Sequence, residues 1–379
     1  MKFTINRSAF INKLNDVLRA ISSKTTIPIL TGIKIVVTDN DVTLTGSDAD
    51  ITIESVLANS DEKLELDVAS AGSIVLPARF FSEIIKKLPD KQVTIEVTDG
   101  FQTQITSGTA AFTINGQDAN NYPHLPEIDG DNTISLAGDV LKEVIGQTVL
   151  AVSTQESRPI LTGVHLILSE NQLLAVATDS HRLAQRKIAL PAAVAETHDV
   201  IIPGKSLQEL SRMIADGNQE IQLRIADNQV LFLLGDTLFY SRLLEGNYPD
   251  TTRLIPDSSD TTVELNAATF LAAIERASLL SHESRNNVVK LNVQPEDQLA
   301  EISGNSPDVG NVEEQIGVEN VDGQPVEISF NPDYMKDALR SFGQSQVKMS
   351  FTSALRPFTL VPTENEDNFI QLITPVRTY

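Results

Sequence analysis

Cysteine is absent from the 379-residue chain. Its absence excludes disulfide bonds, thiolate metal ligands and a cysteine nucleophile. Long apolar runs are missing too: no segment approaches the roughly 20 consecutive apolar residues with which a helix crosses a bilayer. The opening residues, MKFTINRSAF, lack the apolar stretch of a signal peptide. We therefore expect a cytoplasmic protein with no membrane partner.

Sequence signatures of metal and cofactor chemistry are equally scarce. The chain has no HExxH motif and no cluster of His and carboxylate residues at the spacing of metal ligands. The segment IIPGKSLQ contains Gly-Lys-Ser, but a phosphate-binding loop requires a glycine where this chain has Asp199. We predict that the protein uses neither a metal nor a cofactor.

One stretch invites an enzymatic interpretation, because ATDSHRLA, residues 177–184, places Asp179, Ser180 and His181 side by side. Neighbours in sequence do not form a catalytic triad, which depends on a hydrogen-bonded geometry and an oxyanion hole. A metal-dependent, DNA-processing nuclease is the alternative enzyme. It would need clustered carboxylates, whereas Asp and Glu are scattered here. We predict that the protein is not an enzyme.

The chain repeats itself at long range. PILTG occurs at residues 28–32 and again at 159–163, and NYP occurs at 121–123 and 247–249. A short strand followed by an amphipathic helix begins each of three units of roughly 125–130 residues. Polar stretches rich in Pro, Gly and Asp follow two of the units and are typical of linkers. The predicted domains are 1–127, 128–257 and 258–379.

Each repeat contains the strand-then-helix pattern twice, which predicts six helices at intervals of about 60–70 residues. In the second helix, Phe81, Ile84, Ile85 and Leu88 form the expected buried stripe. Segments such as VTLTG and VTIEV alternate polar and apolar residues and are typical of strands. We predict an α+β protein of mostly antiparallel sheet. The predicted helices are 7–20, 79–88, 138–150, 204–214, 267–280 and 332–342.

Charge is distributed unevenly between these helices and the rest of the chain. The whole chain has a net charge of −22, which taken alone disfavours binding to nucleic acid. The six helical segments nevertheless carry a net charge of +4 when Lys and Arg are counted against Asp and Glu. Solvated surface charge is the ordinary explanation of such residues. The contrast with the acidic remainder instead favours helices that face a polyanion.

Helix dimensions limit how such a protein encircles a duplex. Helices spaced roughly 8–10 Å apart around a hole leave only about 7 Å of free diameter when there are six of them. Twelve helices leave roughly 24 Å, which admits B-form DNA. A ring around DNA would therefore need two copies of this chain.

The doubled PILTG, ATDSHRLA, LLEGNYPD at residues 243–250 and LITPVRTY at residues 372–379 together resemble the bacterial DNA polymerase III beta subunit, the sliding clamp. The resemblance runs the full length of the chain. It implies three repeated domains of the DNA-clamp fold, each with two helices backed by antiparallel sheets, which close as a head-to-tail homodimeric ring around double-stranded DNA. It also implies that the ring tethers the replicative polymerase for processivity.

Sliding requires contacts with phosphates, which are alike at every base step, because contacts with base edges would hold the ring at particular sequences. The helices supply candidate DNA contacts, and the resemblance adds three residues on turns. The helix residues are Arg7, Lys13, Lys86, Lys87, Lys205, Arg212 and Arg340, and the turn residues are Lys24, Gln155 and Arg158.

The resemblance also implies a hydrophobic groove, walled by the ATDSHRLA loop, that receives short linear motifs with Leu and Phe anchors. The implied partners are the alpha-type polymerase subunit, the clamp loader, repair and translesion polymerases, mismatch repair proteins and ligase. Thr374 and Val376 flank the tail proline where several members of the family have methionine. The resemblance therefore does not define the depth of the groove or its peptide preference. The groove residues are Leu161, Thr178, Ser180, His181, Arg182, Leu183, Pro249, Leu254, Arg356, Pro375, Val376 and Arg377.

The dimer interface implied by the resemblance joins the first domain of one chain to the third domain of the other. Leu279 and Leu280 follow the fifth helix, and Phe112 and Ile114 would face them from an edge strand. An unpaired strand edge at each end favours such pairing. The alternative interpretation places Leu279 and Leu280 in the core.

Overall fold

The computed structural model describes residues 1–124, 128, 132–217, 219–282 and 287–377. The contacts divide the chain into two compact units, each described by itself. Unit 1 comprises residues 1–139 and 209–243, and unit 2 comprises residues 140–208 and 244–379.

The described residues form six α-helices and 26 strands, numbered in chain order. The helices are α1 Arg7–Leu18, α2 Ala78–Lys87, α3 Gly138–Thr148, α4 Gly204–Met213, α5 Ala267–Ser281 and α6 Pro332–Phe342. The strands are β1 Lys2–Asn6, β2 Gly32–Val37, β3 Asp41–Ser47, β4 Ile51–Ala58, β5 Asp67–Ser70, β6 Gly72–Pro77, β7 Gln92–Val97, β8 Gln102–Ser107, β9 Ala110–Asn115, β10 Ile134–Ala137, β11 Gly163–Ser169, β12 Gln172–Thr178, β13 Arg182–Ala189, β14 His198–Pro203, β15 Glu220–Ile225, β16 Gln229–Leu234, β17 Thr237–Arg242, β18 Thr261–Asn266, β19 Val289–Gln294, β20 Leu299–Ser306, β21 Gly310–Ile316, β22 Asn320–Gly323, β23 Val326–Phe330, β24 Gln346–Phe351, β25 Phe358–Pro362 and β26 Phe369–Ile373.

The predicted helices all form, with small differences at their ends. Asparagine side chains cap three of them: Asn6 at α1, Asn266 at α5 and Asn331 at α6 each accept backbone N–H bonds from the first turn. The predicted helix 138–150 ends at Thr148 and continues as a 3₁₀ turn. In α2, Ile84 is half-buried instead of fully buried.

Unit 1 contains two antiparallel sheets. One has five strands in the order β5-β1-β7-β8-β9, and the other has eight in the order β10-β15-β16-β17-β4-β3-β2-β6. Helices α1 and α2 pack together, and Phe10 makes edge-to-face contacts with Phe3 and Phe81 at 6.3 and 6.1 Å. Gly46 lets α1 approach β3 closely, since a Cβ there would lie 2.6 Å from the Val17 carbonyl oxygen.

Unit 2 also contains two antiparallel sheets. One has nine strands in the order β14-β11-β12-β13-β26-β25-β24-β18-β22, and the other has four in the order β21-β20-β19-β23. Helices α5 and α6 pack together over a core that includes Phe270, Phe330, Leu339 and Phe358. The same close approach recurs here, because a Cβ at Gly304 would lie 2.7 Å from a carbonyl oxygen of α5.

Both large sheets join strands from different repeats. In unit 1, β4 of the first repeat pairs with β17 of the central repeat, with Ile51 opposite Ser241. In unit 2, β13 of the central repeat pairs with β26 of the third, with Arg182 opposite Ile373. The α+β class and the antiparallel pairing predicted from the sequence are confirmed. Because the strands of the central repeat are shared between these two sheets, the boundary between the compact units falls inside the central repeat.

Candidate binding cleft, basic helices and sheet edges

The ATDSHRLA segment forms a tight turn between β12 and β13 that its own side chains hold in place. The Thr178 hydroxyl donates to the Arg182 carbonyl oxygen (2.6 Å) and accepts the Ser180 N–H (3.1 Å). Asp179 Oδ1 accepts the N–H groups of His181 and Arg182 at 2.9 and 3.0 Å. Ser180 has a φ of 79°, in the left-handed region. The turn is therefore fixed before any ligand arrives.

Arg182 anchors this turn to helix α6. Its Nε donates to Asp179 Oδ2 (3.0 Å) and its Nη1 donates to Asp337 Oδ2 (2.7 Å). The guanidinium carbon lies 4.7 Å from the centre of the Tyr334 ring, a cation–π distance. The His181 ring stacks on the same tyrosine at 6.3 Å. Burial raises the pKa of Tyr334, as does the negative charge of Asp179.

A cleft of about 550 Å³ opens beside this turn. Four of the residues that the resemblance assigns to a groove line it: Leu161, Ser180, His181 and Arg182. Tyr334 lines it too and was not predicted. Two residues predicted to contact DNA, Gln155 and Arg158, lie in the same lining. Arg158 Nη1 donates to Ser180 Oγ at 3.3 Å.

Next to this turn lies an apolar cluster in the same unit. Leu183 packs with Val176 and Leu372, and Leu174, Tyr248 and Ile255 pack against them. Tyr248 fixes the cluster to the turn, because its hydroxyl accepts the Thr178 N–H at 3.0 Å. Burial raises the pKa of Tyr248 to about 12. Leu183 is buried in this cluster and does not line the cleft.

The remaining predicted groove residues lie on loops and on the tail. The Thr374 N–H donates to the His181 carbonyl oxygen (2.9 Å) and the Val376 N–H donates to the Ser329 carbonyl oxygen (2.7 Å), so the tail is tied to unit 2 on both sides of Pro375. Leu254 is exposed and precedes Ile255 of the apolar cluster. Pro249, Arg356 and Arg377 are exposed.

The three side chains that suggested a catalytic triad serve separate purposes. Asp179 binds Arg182 and backbone N–H groups, Ser180 Oγ accepts from Arg158, and the His181 ring lies against Tyr334. Among the described residues, no group of three His, Cys, Asp or Glu side chains is placed to hold a metal ion. No helix in the described part of the chain is long and apolar enough to cross a membrane.

Several of the predicted DNA contacts in unit 1 are engaged within the protein. Arg7 donates to the carbonyl oxygens of Lys86 (3.2 Å) and Asp90 (3.0 Å), at the C-terminal end of α2 where a cation is favoured. Lys13 pairs with Asp236, 223 residues away in the sequence. Arg212 pairs with Glu209.

The other predicted DNA contacts differ in how exposed their charge is. In unit 2, Lys205 is exposed, and Arg340 bridges Glu275 (3.1 Å) and Asp337 (3.6 Å). In unit 1, Lys24, Lys86 and Lys87 are exposed, and no described carboxylate lies within ion-pairing distance of them. Two of these three exposed lysines, Lys86 and Lys87, lie side by side in the last turn of α2.

Two strand edges carry the residues predicted for the dimer interface. In unit 1, β9 is the last strand of its sheet, and it carries Phe112, 43% exposed, and the half-buried Ile114. In unit 2, β21 is the last strand of its sheet, and Leu279 on the adjacent α5 is 69% exposed. Leu279 is therefore not a core residue, while Leu280 is half-buried.

Comparison with known proteins identifies the family. Three descriptions match in sequence order: DNA polymerase III beta subunit, N-terminal domain, over residues 1–126; central domain, over residues 135–250; and C-terminal domain, over residues 252–377. The beta sliding clamp of Bacillus subtilis is 51% identical over the whole of both chains. Its crystal structure superimposes with a TM-score of 0.97, again over the whole of both chains. The DNA polymerase III beta chain of Streptococcus pneumoniae superimposes with a TM-score of 0.96 at 44% identity and full coverage of both chains. The chain therefore belongs to the DNA polymerase III beta subunit family, the beta sliding clamps, and is a processivity factor with no catalytic activity of its own.

Proposed function

We propose that two copies of this chain close head to tail into a ring around double-stranded DNA in the cytoplasm. Three domains, 1–127, 128–257 and 258–379, build each half of the ring. The ring tethers the replicative polymerase and slides with it. The single observation that carries this proposal is the pair of sheet edges, β9 in unit 1 and β21 in unit 2, each beside exposed apolar side chains.

The two edges suit each other chemically. A strand at the edge of a sheet leaves N–H and C=O groups available for another chain. Phe112 on β9 and Leu279 beside β21 offer apolar surface that water disfavours. Because the two edges are different surfaces, pairing one with the other gives a head-to-tail contact. Two such contacts close a ring of two chains.

Sliding on DNA needs weak contacts that do not depend on sequence. Lys24, Lys86 and Lys87 supply exposed positive charge, whereas Lys13, Arg212 and Arg340 are already paired with carboxylates. Paired cations bind phosphate less strongly, because the carboxylate must be displaced. The topological closure of the ring, not strong attraction, then holds the protein on DNA.

Partner proteins are recruited through the cleft of unit 2. The fixed turn at Ser180, the His181 and Tyr334 rings and the apolar cluster next to it form a preorganised receptor for a short extended peptide with Leu and Phe anchors. We propose that the polymerase alpha-type subunit, the clamp loader, repair and translesion polymerases, mismatch repair proteins and ligase use it in turn.

Retention on circular DNA tests the proposal. The protein is loaded onto nicked circular DNA by a clamp loader and passed through a size-exclusion column at moderate salt. We expect it to co-elute with the circle and to dissociate once the circle is cut, because a ring slides off a free end. Equal retention on circular and linear DNA would show ordinary binding and contradict encirclement.

A further inference from the structure

Unit 1 contains a second cavity, of about 290 Å³, which is separate from the cleft of unit 2. Ile27, Leu30, Ser47, Tyr122 and Tyr240 are among the residues that line it. Neither DNA encirclement nor partner recruitment through the cleft uses it. Its surroundings reproduce the framework of the cleft in unit 2, because both derive from the internal repeat.

Two turns beside the cavity correspond to two turns beside the cleft. One is the PILTG turn, and the other follows β3 in unit 1 and β12 in unit 2. Leu30 and Leu161 are the buried leucines of the two PILTG segments. Ala49 has a φ of 81°, close to the 79° of Ser180. Ala49 is not a glycine, so the left-handed backbone is maintained by the surrounding contacts.

Hydrogen bonds around Ala49 follow the same plan as those around Ser180. The Ala49 N–H donates to Ser47 Oγ at 3.1 Å, and Asp48 Oδ1 accepts the N–H groups of Asp50 and Ile51 at 3.0 and 2.8 Å. The Arg242 N–H donates to the Asp50 carbonyl oxygen at 2.9 Å. The Thr374 N–H makes the corresponding bond in unit 2, also at 2.9 Å.

The tyrosines of the two NYP segments differ in one respect. The Tyr248 hydroxyl accepts the Thr178 N–H, but Tyr122, 2% exposed, lies near the Ser47 backbone and its hydroxyl makes no well-aligned hydrogen bond to any described residue. Burial raises the pKa of Tyr122, so its hydroxyl stays neutral. The hydroxyl oxygen is itself buried, so a ligand in the cavity meets the Tyr122 ring and not the hydroxyl.

The cavity differs from the cleft in charge. Ile27 stands where unit 2 has Arg158, and it is 41% exposed at the rim. Asp50 stands where unit 2 has His181. The lining of the cavity carries one carboxylate, Asp50, against one guanidinium, Arg242, together with His124, whereas the lining of the cleft carries two guanidinium groups against one carboxylate, together with His181. The cavity is thus more apolar at its entrance and more acidic than the cleft.

We propose that this cavity binds a short extended peptide that carries one Leu- or Phe-sized anchor next to a basic residue. Its volume is at the small end of ligand sites, which run from roughly 300 Å³ upwards, so one or two side chains fill it. The anchor lies against Ile27, Leu30 and the tyrosine rings, and the basic residue pairs with Asp50. Only the peptide nature of the ligand rests on the proposed function of unit 2.

The test uses the full chain with ¹³C-labelled Ile and Leu methyl groups and two probe peptides. One is acetyl-Ser-Arg-Leu-Lys-Phe-amide and the other is its charge-reversed form, acetyl-Ser-Asp-Leu-Glu-Phe-amide. We expect the basic peptide to shift the Ile27 and Leu30 signals and to bind with a Kd of about 1 mM or tighter. The acidic peptide should bind there at least about tenfold more weakly, because Asp50 repels it.

Variants make the assignment specific. Ile27→Ser should abolish the shift of the Leu30 signal, whereas Phe101→Ser, which alters another exposed apolar residue of unit 1, should leave it. Asp50→Asn should bring the affinities of the two peptides together. Unmoved Ile27 and Leu30 signals at about 5 mM peptide, or equal affinity of both peptides for the unaltered protein, would overturn the proposal. Leu161 and Leu254 report on the cleft of unit 2 in the same spectra, so failure at one site is distinguished from failure at the other.

Discussion

Arg182 Nη1 lies 2.7 Å from Asp337 Oδ2, and this ion pair joins the first residue of β13 to helix α6. The same guanidinium binds Asp179 and lies over the Tyr334 ring. The wall of the cleft is therefore built by one cation that holds a turn, a helix and an aromatic ring together. Its charge is used inside the protein, so we expect it to position the surface to which the proposed peptide binds.

Removal of that cation should loosen the wall of the cleft. We expect Arg182→Ala to weaken binding of a Leu/Phe-anchored partner peptide about tenfold and to destabilise the fold by about 1–3 kcal/mol, the usual cost of losing hydrogen bonds to charged groups. Peptide titration by calorimetry and thermal unfolding measure the two effects. Arg340→Ala, which removes exposed ion pairs of the same helix, should change both by little. Equal effects of the two variants would contradict the positioning role.

Much of this molecule is predictable from its sequence because the repeats impose a period. All six helices lie where strand-then-helix patterns placed them, and asparagine caps fix several starts. Contacts between distant elements are a different matter. Tyr334 joins the cleft from α6, and Lys13 is paired with Asp236 across 223 residues. No local pattern encodes either contact, since both depend on how elements pack.

The exposed Leu279, in the last turn of α5, should control assembly. We expect Leu279→Lys to convert the dimer to monomer, because a buried unpaired charge would replace apolar contact in the interface. Leu355→Lys is the matched control, since Leu355 is 62% exposed in the same unit and outside the proposed interface. Sedimentation velocity gives the mass of each. A dimeric Leu279→Lys variant would move the interface elsewhere.

The last turn of α2 should dominate the electrostatic attraction to DNA. We expect charge reversal of Lys86 and Lys87 together to weaken DNA binding and to make its salt dependence shallower, by roughly one in slope for each phosphate that is no longer neutralised. Lys63→Glu reverses an exposed lysine outside the six α-helices and should have a smaller effect. Fluorescence anisotropy over a range of salt concentrations provides the slopes. An unchanged slope for the α2 variant would place the phosphate contacts on other residues.

Asp16 on α1 should make stability depend on pH. Burial raises the pKa of its carboxyl, and the attraction of Arg19 and Lys13 only partly offsets this. Because the folded-state pKa lies above the ordinary value of 3.8, the contribution of Asp16 to folding stability is fully present below pH 3.8 and is lost as the pH rises through the raised pKa. Asp16→Asn should therefore raise the melting temperature at pH 7, and the gain should shrink towards pH 3.8.

Thermal melts across that range measure this effect. The exposed Asp39→Asn controls for the removal of one charge from an acidic protein, and its effect should be small. A melting temperature for Asp16→Asn that is lower at pH 7, or shifted equally at every pH, would contradict burial as the dominant influence.

Head-to-tail closure is tested most directly by site-specific cross-linking, which the absence of native cysteine makes clean. Phe112→Cys and Leu279→Cys chains are treated with a short bis-maleimide, separately and mixed, and resolved on a denaturing gel. We predict a covalent dimer only in the mixture, because the residues at 112 and 279 meet across the interface. Cross-linking of either variant with itself, or none in the mixture, would contradict the ring.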